Sequence, residues 1–280
     1  MLTLMVILIK WFVLTHVDSI EAGILASNFA RLAIMNAAIR PDERLEPLYK
    51  ILLELGYFIK RGDIYMRTGK LPPDRGDPIV ANVIDNIIVP YLLGNSFELN
   101  TTLLHSFTYL FQEVRIRVAS EILPWGGLTL VYGFLPCGFS SELSAQAGRD
   151  LVISDDFQDV LDVESERLSL LPIFSAPLTS YLAPAAFIAV EPTTDLSLLQ
   201  SKYGKFDTAI VCHRLSNIES LRNISREIIY IYVKGVLGEL ATLMSKAVGL
   251  EQPPTCEELS TKYGGQIVEN DESVCITDFR

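Results

Sequence analysis

The sequence predicts an α/β protein with two domains, a mainly helical domain over residues 1–123 and a domain of alternating strands and helices over residues 124–280. Apolar residues at helical spacing dominate the first part, until the run Pro124-Trp125-Gly126-Gly127 breaks the pattern. Beyond it, short continuous apolar runs of the kind found in buried parallel strands alternate with helical patterns. A length of 280 residues fits one large domain or two ordinary ones, and 49% apolar residues support a large core.

The first 17 residues are strongly apolar, but Lys10 interrupts them. The run is also shorter than the roughly 20 residues that a membrane-spanning helix needs. Asp18 and Glu21 follow at the spacing of a capping box, which predicts that the chain continues directly into a helix. We therefore expect residues 1–17 to form a buried arm or a dimer element. A membrane or export segment and a mis-assigned start are the alternatives.

The first domain has the order of elements found in a winged helix. Helices are predicted over residues 18–39 and 45–55, and Gly56 follows as a C-terminal cap. Two apolar runs then flank Arg61-Gly62-Asp63, which predicts a β-hairpin. Two further helices are predicted, over residues 79–93 and 100–123.

The sequence pattern of the second domain predicts a parallel sheet that ends in an antiparallel hairpin. Strands are predicted over residues 128–132, 150–154, 186–190, 207–212 and 227–233. Helices are predicted over residues 141–147, 159–170, 196–203, 217–225 and 237–250. The hairpin is formed by residues 265–268 and 273–277.

The charge balance argues against a general nucleic-acid binder. Lys plus Arg is 23 and Asp plus Glu is 34, so the formal net charge is −11. Lys60, Arg61, Arg67 and Lys70 form a small basic cluster on or after the hairpin, but the preceding helix carries acidic residues. A mean hydropathy of +0.30 favours buried subunit interfaces, so we expect a homodimer. Neither nucleic acid nor a membrane is expected as a partner.

The four cysteines and three histidines form no recognised metal or redox motif. No CxxC or HExxH is present. We therefore expect reduced thiols, a cytoplasmic protein and no metal site.

Three stretches of this chain resemble class I S-adenosylmethionine-dependent methyltransferases, specifically small-molecule O-methyltransferases with an N-terminal winged-helix dimerisation domain. They are residues 52–58 together with 62–68, residues 206–216 and residues 264–276. The resemblance implies a Rossmann-like methyltransferase sheet, S-adenosylmethionine as cofactor and a small hydroxylated molecule as methyl acceptor. It spans roughly residues 20–280.

The cofactor loop departs from the family pattern, which has an acidic residue followed by three glycines. Tyr132 stands at the acidic position, and only Gly133 and Gly138 remain. Phe134, Leu135 and Pro136 are bulky where the family has bare backbone. This degenerate loop predicts weak cofactor binding, or none.

The resemblance assigns roles to several side chains at the strand ends. Gly133, Gly138, Asp155 and Asp156 would bind the cofactor, with an acidic side chain on its ribose hydroxyls. His213 would be the general base, because its ordinary pKa suits proton removal from a hydroxyl near neutral pH.

Each role has a structural alternative. His213 could be a hydrogen-bonded, packed histidine, and the aspartates could be solvated or cap a helix. Glu191 could contact an adenine or cap the next helix, and we expect the cap. Arg214 would hold an anion or pair with an acidic neighbour such as Asp155.

Two functions therefore stay open at this point. The first is methyl transfer to a hydroxyl of a small molecule. The second is a non-catalytic, methyltransferase-like dimer with a binding or regulatory role, and a winged-helix transcription regulator is a weaker third.

Overall fold

The chain divides into two compact units, Met1–Ser106 and Phe107–Arg280. The structure, a computed structural model, describes residues 20–73, 76–97, 106, 110–118, 122–123, 126–133, 135–138, 150–155, 157–158, 160–162, 165, 188–191, 193, 195–214, 218–272 and 274–280. Residues 110–118 therefore belong to the second unit, whereas the sequence analysis placed them in the first. The apolar residues 1–17 lie outside the described ranges.

The first unit begins with two helices where one was predicted. Helix α1 covers residues 20–26 and α2 covers Asn28–Ile34, so the prediction of one helix over 18–39 is wrong. The Ser27 hydroxyl accepts a hydrogen bond from the Ala30 amide at 3.1 Å and caps α2. The carboxylate of Asp85 also accepts from the Asn28 amide at 2.8 Å. Because these acceptors stabilise a new helix start at Ser27, α1 ends at residue 26.

A three-stranded antiparallel sheet follows α2 and confirms the predicted hairpin. Its strands are β1 (Ala38–Ile39), β2 (Phe58–Arg61) and β3 (Ile64–Arg67), in the order β1-β3-β2. Helix α3 (Glu46–Glu54) follows the 3-10 turn Glu43–Leu45. It packs Tyr49 against the rings of Phe58 and Tyr65 at centroid distances of 6.2 and 5.4 Å.

Helix α4 (Pro78–Val83), a π-helical segment (Ile84–Ile88) and α5 (Val89–Leu92) run on without a break and confirm the predicted helix. Glu21, near the start of α1, contacts two side chains of the first unit. Its carboxylate accepts from the Tyr57 hydroxyl at 2.8 Å and from Lys70 Nζ at 2.7 Å. The predicted capping partner, Asp18, lies outside the described residues.

The second unit is built on a seven-stranded sheet in the order β6-β5-β4-β7-β8-β10-β9. The strands are β4 (Leu128–Tyr132), β5 (Asp150–Ser154), β6 (Ile188–Glu191), β7 (Phe206–Cys212), β8 (Ser225–Val233), β9 (Gln266–Asn270) and β10 (Val274–Phe279). The first five in this list run parallel, and β10 runs antiparallel to both β8 and β9. The predicted parallel sheet with a terminal hairpin is confirmed.

Helices also form in the described part of the second unit. They are α6 (Gln112–Arg117), α7 (Leu196–Tyr203), α8 (Ile218–Ile224), α9 (Gly235–Ala247) and α10 (Cys256–Tyr263). A core cluster joins Leu130, Ala209 and Tyr230 of the sheet to apolar side chains of α7, α8 and α10.

Three of these helices were placed well by the sequence, and one was missed. The predictions for α7, α8 and α9 are confirmed. Helix α10 was not predicted, although Thr255 and Glu258 form a capping box at its start. The predicted helix over 141–147 lies outside the described residues, as does most of the one over 159–170. Within the described ranges, no helix is long and apolar enough to cross a membrane.

Candidate functional site

The candidate site lies at the carboxyl edge of the parallel sheet, where β4 and β7 end side by side. The strands that follow β4 along the chain extend the sheet to one side, whereas those from β7 onwards extend it to the other. Open α/β sheets bind ligands at such a switch point. Gly133 directly follows β4. Cys212 is the last residue of β7, and His213 and Arg214 follow it.

Asp155 follows β5 and is 3% exposed. Its carboxylate accepts hydrogen bonds from the amides of Leu135 at 3.0 Å and Phe157 at 3.1 Å. Arg214 Nη1 lies 3.3 Å from each carboxylate oxygen, which confirms the predicted pairing of Arg214 with Asp155. Burial raises the pKa of Asp155, and the charge of Arg214 opposes that shift. Asp156 lies outside the described residues.

Gly133 and Gly138 are each approached by an arginine of the same unit. Gly133 has a φ of +76°, and a Cβ atom there would lie 2.6 Å from Cδ of Arg214. The Arg214 side chain therefore covers the bare backbone that a ligand would approach. The Gly138 carbonyl accepts from Nη1 of Arg115 at 2.8 Å, and Arg115 is itself buried.

His213 is fully buried, and both its ring nitrogens are used inside the protein. Nδ1 accepts from the Val233 amide at 3.2 Å, and Nε2 lies 3.0 Å from the hydroxyl of Thr242 on α9. The ring stacks on Tyr232 at a centroid distance of 5.2 Å. Burial lowers the pKa of His213 to about 4. This environment favours the structural alternative over the general base.

The cysteines differ from the sequence expectation. The structure joins Cys137 to Cys212 and Cys256 to Cys275, so the expectation of four reduced thiols is wrong for this structure. The Cα atoms are 6.0 and 6.2 Å apart, within the range that a disulfide bridges. The first bridge joins the segment after β4 to the end of β7. It therefore lies at the candidate site.

Glu191 does not cap the next helix, so that expectation is wrong. Its carboxylate binds Lys202 Nζ at 2.6 Å and the Tyr203 hydroxyl, while Asp195 caps α7 through the Ser197 amide. Burial acts to raise the pKa of Glu191, but these hydrogen bonds outweigh it and lower the pKa. The Glu191 carboxylate therefore binds two side chains at the end of α7.

Sequence reasoning missed three features of this edge: Arg115 on the Gly138 carbonyl, the Thr242 contact to His213, and the cysteine pairing. No local pattern marks them, because each joins residues from separate elements. A cavity of about 370 Å³ lies at the opposite edge of the sheet and is lined in part by Lys205, Arg222 and Arg226. Among the described residues, no group of three or more His, Cys, Asp or Glu side chains is arranged to hold a metal ion.

No protein-family model and no curated protein matches the chain. Among solved structures, CurJ carbon methyltransferase matches with 11% identity and a TM-score of 0.44, over 94% of this chain and 91% of that one. Magnesium protoporphyrin IX methyltransferase (ChlM) from Synechocystis PCC 6803 with bound SAH matches with 17% identity and a TM-score of 0.39, over 66% and 88%. MtNAS matches with 15% identity and a TM-score of 0.41, over 63% of this chain and 62% of that one, so the match spans less than two thirds of MtNAS.

The fold is assigned from the order and direction of the strands, and these distant structural similarities are not used for it. Five parallel strands in the order β6-β5-β4-β7-β8, closed by the antiparallel β10, fit a Rossmann-like methyltransferase fold of class I. The winged-helix assignment of the first unit stays a prediction.

Proposed function

We propose that the chain binds S-adenosylmethionine at the carboxyl edge of the sheet and acts in methyl transfer. The observation that carries this is the juxtaposition of the Asp155 carboxylate with the bare backbone of Gly133 at the switch point. When bound, the cofactor supplies an electrophilic methyl group on a sulfonium centre.

The residue types at this edge fit the cofactor once Arg214 has moved. A carboxylate has about four acceptor positions, so Asp155 could accept from ribose hydroxyls in place of Arg214 while it keeps its two backbone amides. Gly133 adopts a left-handed backbone conformation that favours glycine and offers no side chain to obstruct a ligand. Arg214 is the obstruction, because its side chain lies over that glycine.

For the acceptor we propose a hydroxyl group of a small molecule. The support is the resemblance of residues 206–216 to the fourth-strand motif of the small-molecule enzymes. His213 acts here as a positioning residue, since its bonds to Val233 and Thr242 fix the turn that carries Arg214. A base role would require the buried ring to become exposed.

The second candidate is a non-catalytic, methyltransferase-like protein with a binding or regulatory role. Two contacts favour it: Arg214 fills the space over Gly133, and Asp155 is already bonded within the protein. In this case the pair of Arg214 and Asp155 would be a permanent part of the core.

Calorimetric titration with S-adenosylmethionine and S-adenosylhomocysteine separates the two candidates. Saturable binding that is abolished in an Asp155→Asn variant shown to be folded by circular dichroism supports the first. Glu191→Gln is the matched control, because it changes a carboxylate at the end of a neighbouring strand that contacts α7 instead. If neither compound binds to oxidised or reduced protein, the methyltransferase proposal fails.

We propose that the first unit forms a homodimer of the winged-helix type. Its surface exposes Leu32 by 66%, Met35 by 78% and Leu71 by 77%. Two lysines of the basic cluster are neutralised, Lys60 by Glu46 and Lys70 by Glu21, which favours a protein partner over DNA.

Light scattering tests the dimer. We expect about twice the chain mass of 31.2 kDa, and a monomer after Leu32→Asp with Met35→Asp. Leu198→Asp, at a side chain that is 58% exposed on α7 of the second unit, should leave the mass unchanged. A wild-type monomer would contradict the proposal.

A further inference from the structure

We propose that the disulfide between Cys137 and Cys212 is a redox lock on the cofactor edge. The oxidised protein is held closed with Arg214 over Gly133, and reduction to two thiols lets the edge open to the cofactor. The identity of the ligand rests on the proposed function above, whereas the lock itself does not.

The first argument for this lock is the position of the disulfide. Cys137 lies in the segment 135–138 after β4, and Cys212 is the last residue of β7. These are the two segments that leave the sheet on either side of the switch point, where a ligand would enter. A covalent bond between them limits how far they can separate.

The second argument is the set of contacts around the disulfide, because the two joined segments bind the same residue, Asp155. The Leu135 amide donates to Asp155 from one side, and Arg214, two residues beyond Cys212, binds the same carboxylate from the other. Arg214 also covers Gly133. The crosslink therefore holds together both groups that compete with a ligand for Asp155 and the glycine.

The described hydrogen bonds that remain at this edge after reduction are reversible. They include those of Asp155 and the bond from Arg115 to the Gly138 carbonyl. A ligand that supplies donors for Asp155 can exchange with these bonds, but it cannot exchange with a covalent crosslink of 75-residue sequence separation.

The redox step balances with a dithiol as the reductant. One thiolate of the dithiol attacks one sulfur of the protein disulfide, which breaks the S–S bond, releases the other cysteine as a thiolate and gives a mixed disulfide. Its second thiol then displaces that sulfur, so the dithiol becomes a cyclic disulfide. Two electrons and two protons pass to Cys137 and Cys212. Both residues are at most 1% exposed, so the exchange requires a transient opening of the segment 135–138.

The chain contains its own control for crosslinking as such. Cys256 at the start of α10 and Cys275 on β10 form the second disulfide of the same unit. This pair belongs to the cluster that packs α10 on the sheet, and it makes none of the contacts of Asp155, Gly133 or Arg214. Its removal should leave the cofactor edge as it is.

The test is calorimetric titration with S-adenosylhomocysteine of the full chain, oxidised and after treatment with dithiothreitol, with thiol counts by mass spectrometry. We expect reduction to raise the affinity at least about tenfold, and Cys137→Ala with Cys212→Ala to raise it equally without reductant. Cys256→Ala with Cys275→Ala should bind like the oxidised wild type. Equal affinity in all forms overturns the lock but leaves the proposed function standing.

Hydrogen exchange at the Leu135 amide keeps the test independent of the ligand and of the variants. Reduction of the wild type should speed this exchange at least about tenfold, because the bond to Asp155 then opens more often. Unchanged exchange, or four free thiols in protein never exposed to reductant, overturns the lock. Faster exchange without S-adenosylhomocysteine binding in any form supports the lock and overturns the proposed function.

Discussion

His213 gives the stability of the second unit a pH dependence that one substitution removes. The ordinary histidine pKa of 6.5 applies to the unfolded chain, whereas burial lowers the pKa to about 4 in the folded protein. Between these two values the unfolded state binds more protons than the folded state. Stability therefore rises with pH across this window, is fully present above about pH 6.5, and is lost as the pH falls towards 4.

The size of the effect follows from the two pKa values. At about 1.4 kcal/mol per pH unit, the interval from 6.5 to about 4 corresponds to about 3 kcal/mol of unfolding free energy. A solvent-exposed histidine would contribute nothing in this range, because its pKa would be the same in both states.

The substitution that tests this is His213→Asn. His213 has a φ of +50°, and asparagine tolerates this left-handed conformation better than most residues. Its side-chain oxygen can accept from the Val233 amide in place of Nδ1. Loss of the Thr242 contact and of the stacking on Tyr232 should lower stability at neutral pH by about 1–3 kcal/mol.

Urea unfolding followed by circular dichroism from pH 7.5 to 4.5 measures the difference. The wild type should lose about 2–3 kcal/mol more than His213→Asn over this range, because every other titrating group is common to both proteins. An NMR titration of the wild type should show the ring protonating only below about pH 5. Parallel stability curves, or a ring that titrates near 6.5, would refute the buried, neutral histidine.

Two further substitutions test the closed edge. Gly133→Ala places a Cβ only 2.6 Å from Arg214 at a residue of positive φ. Gly204→Ala is the control, because Gly204 has a φ of +79° but open space around its Cβ. Gly133→Ala should therefore lower stability by about 1–3 kcal/mol more than Gly204→Ala. Equal costs in thermal unfolding would mean that Arg214 does not lie over Gly133. Asp155→Asn leaves the charge of Arg214 buried without its carboxylate and should destabilise the protein by about 3–5 kcal/mol. Glu191→Gln should cost less than about 1 kcal/mol in the same urea titration, and a similar cost for both would contradict the buried pair.

The sequence by itself determined the strands of the parallel sheet. Strands β4 and β5 lie at the residues that their apolar runs predict, because a strand buried on both faces needs apolar side chains at nearly every position. The terminal hairpin and the pairing of β2 with β3 also follow from local patterns. Helix α10 could have been found in the same way, since Thr255 and Glu258 form its capping box within four residues.

The tertiary structure decided what those strand ends do. The predicted helix over 18–39 ends early because Asp85, far along the chain, bonds to the start of α2. Cys137 meets Cys212 only because β4 and β7 are neighbours in the sheet. The same adjacency places Arg214 over Gly133, whereas the packing of α9 brings Thr242 to the buried His213. Periodicity along a chain fixes which face of an element is buried, but contacts between elements depend on strand order and register, which local patterns do not encode.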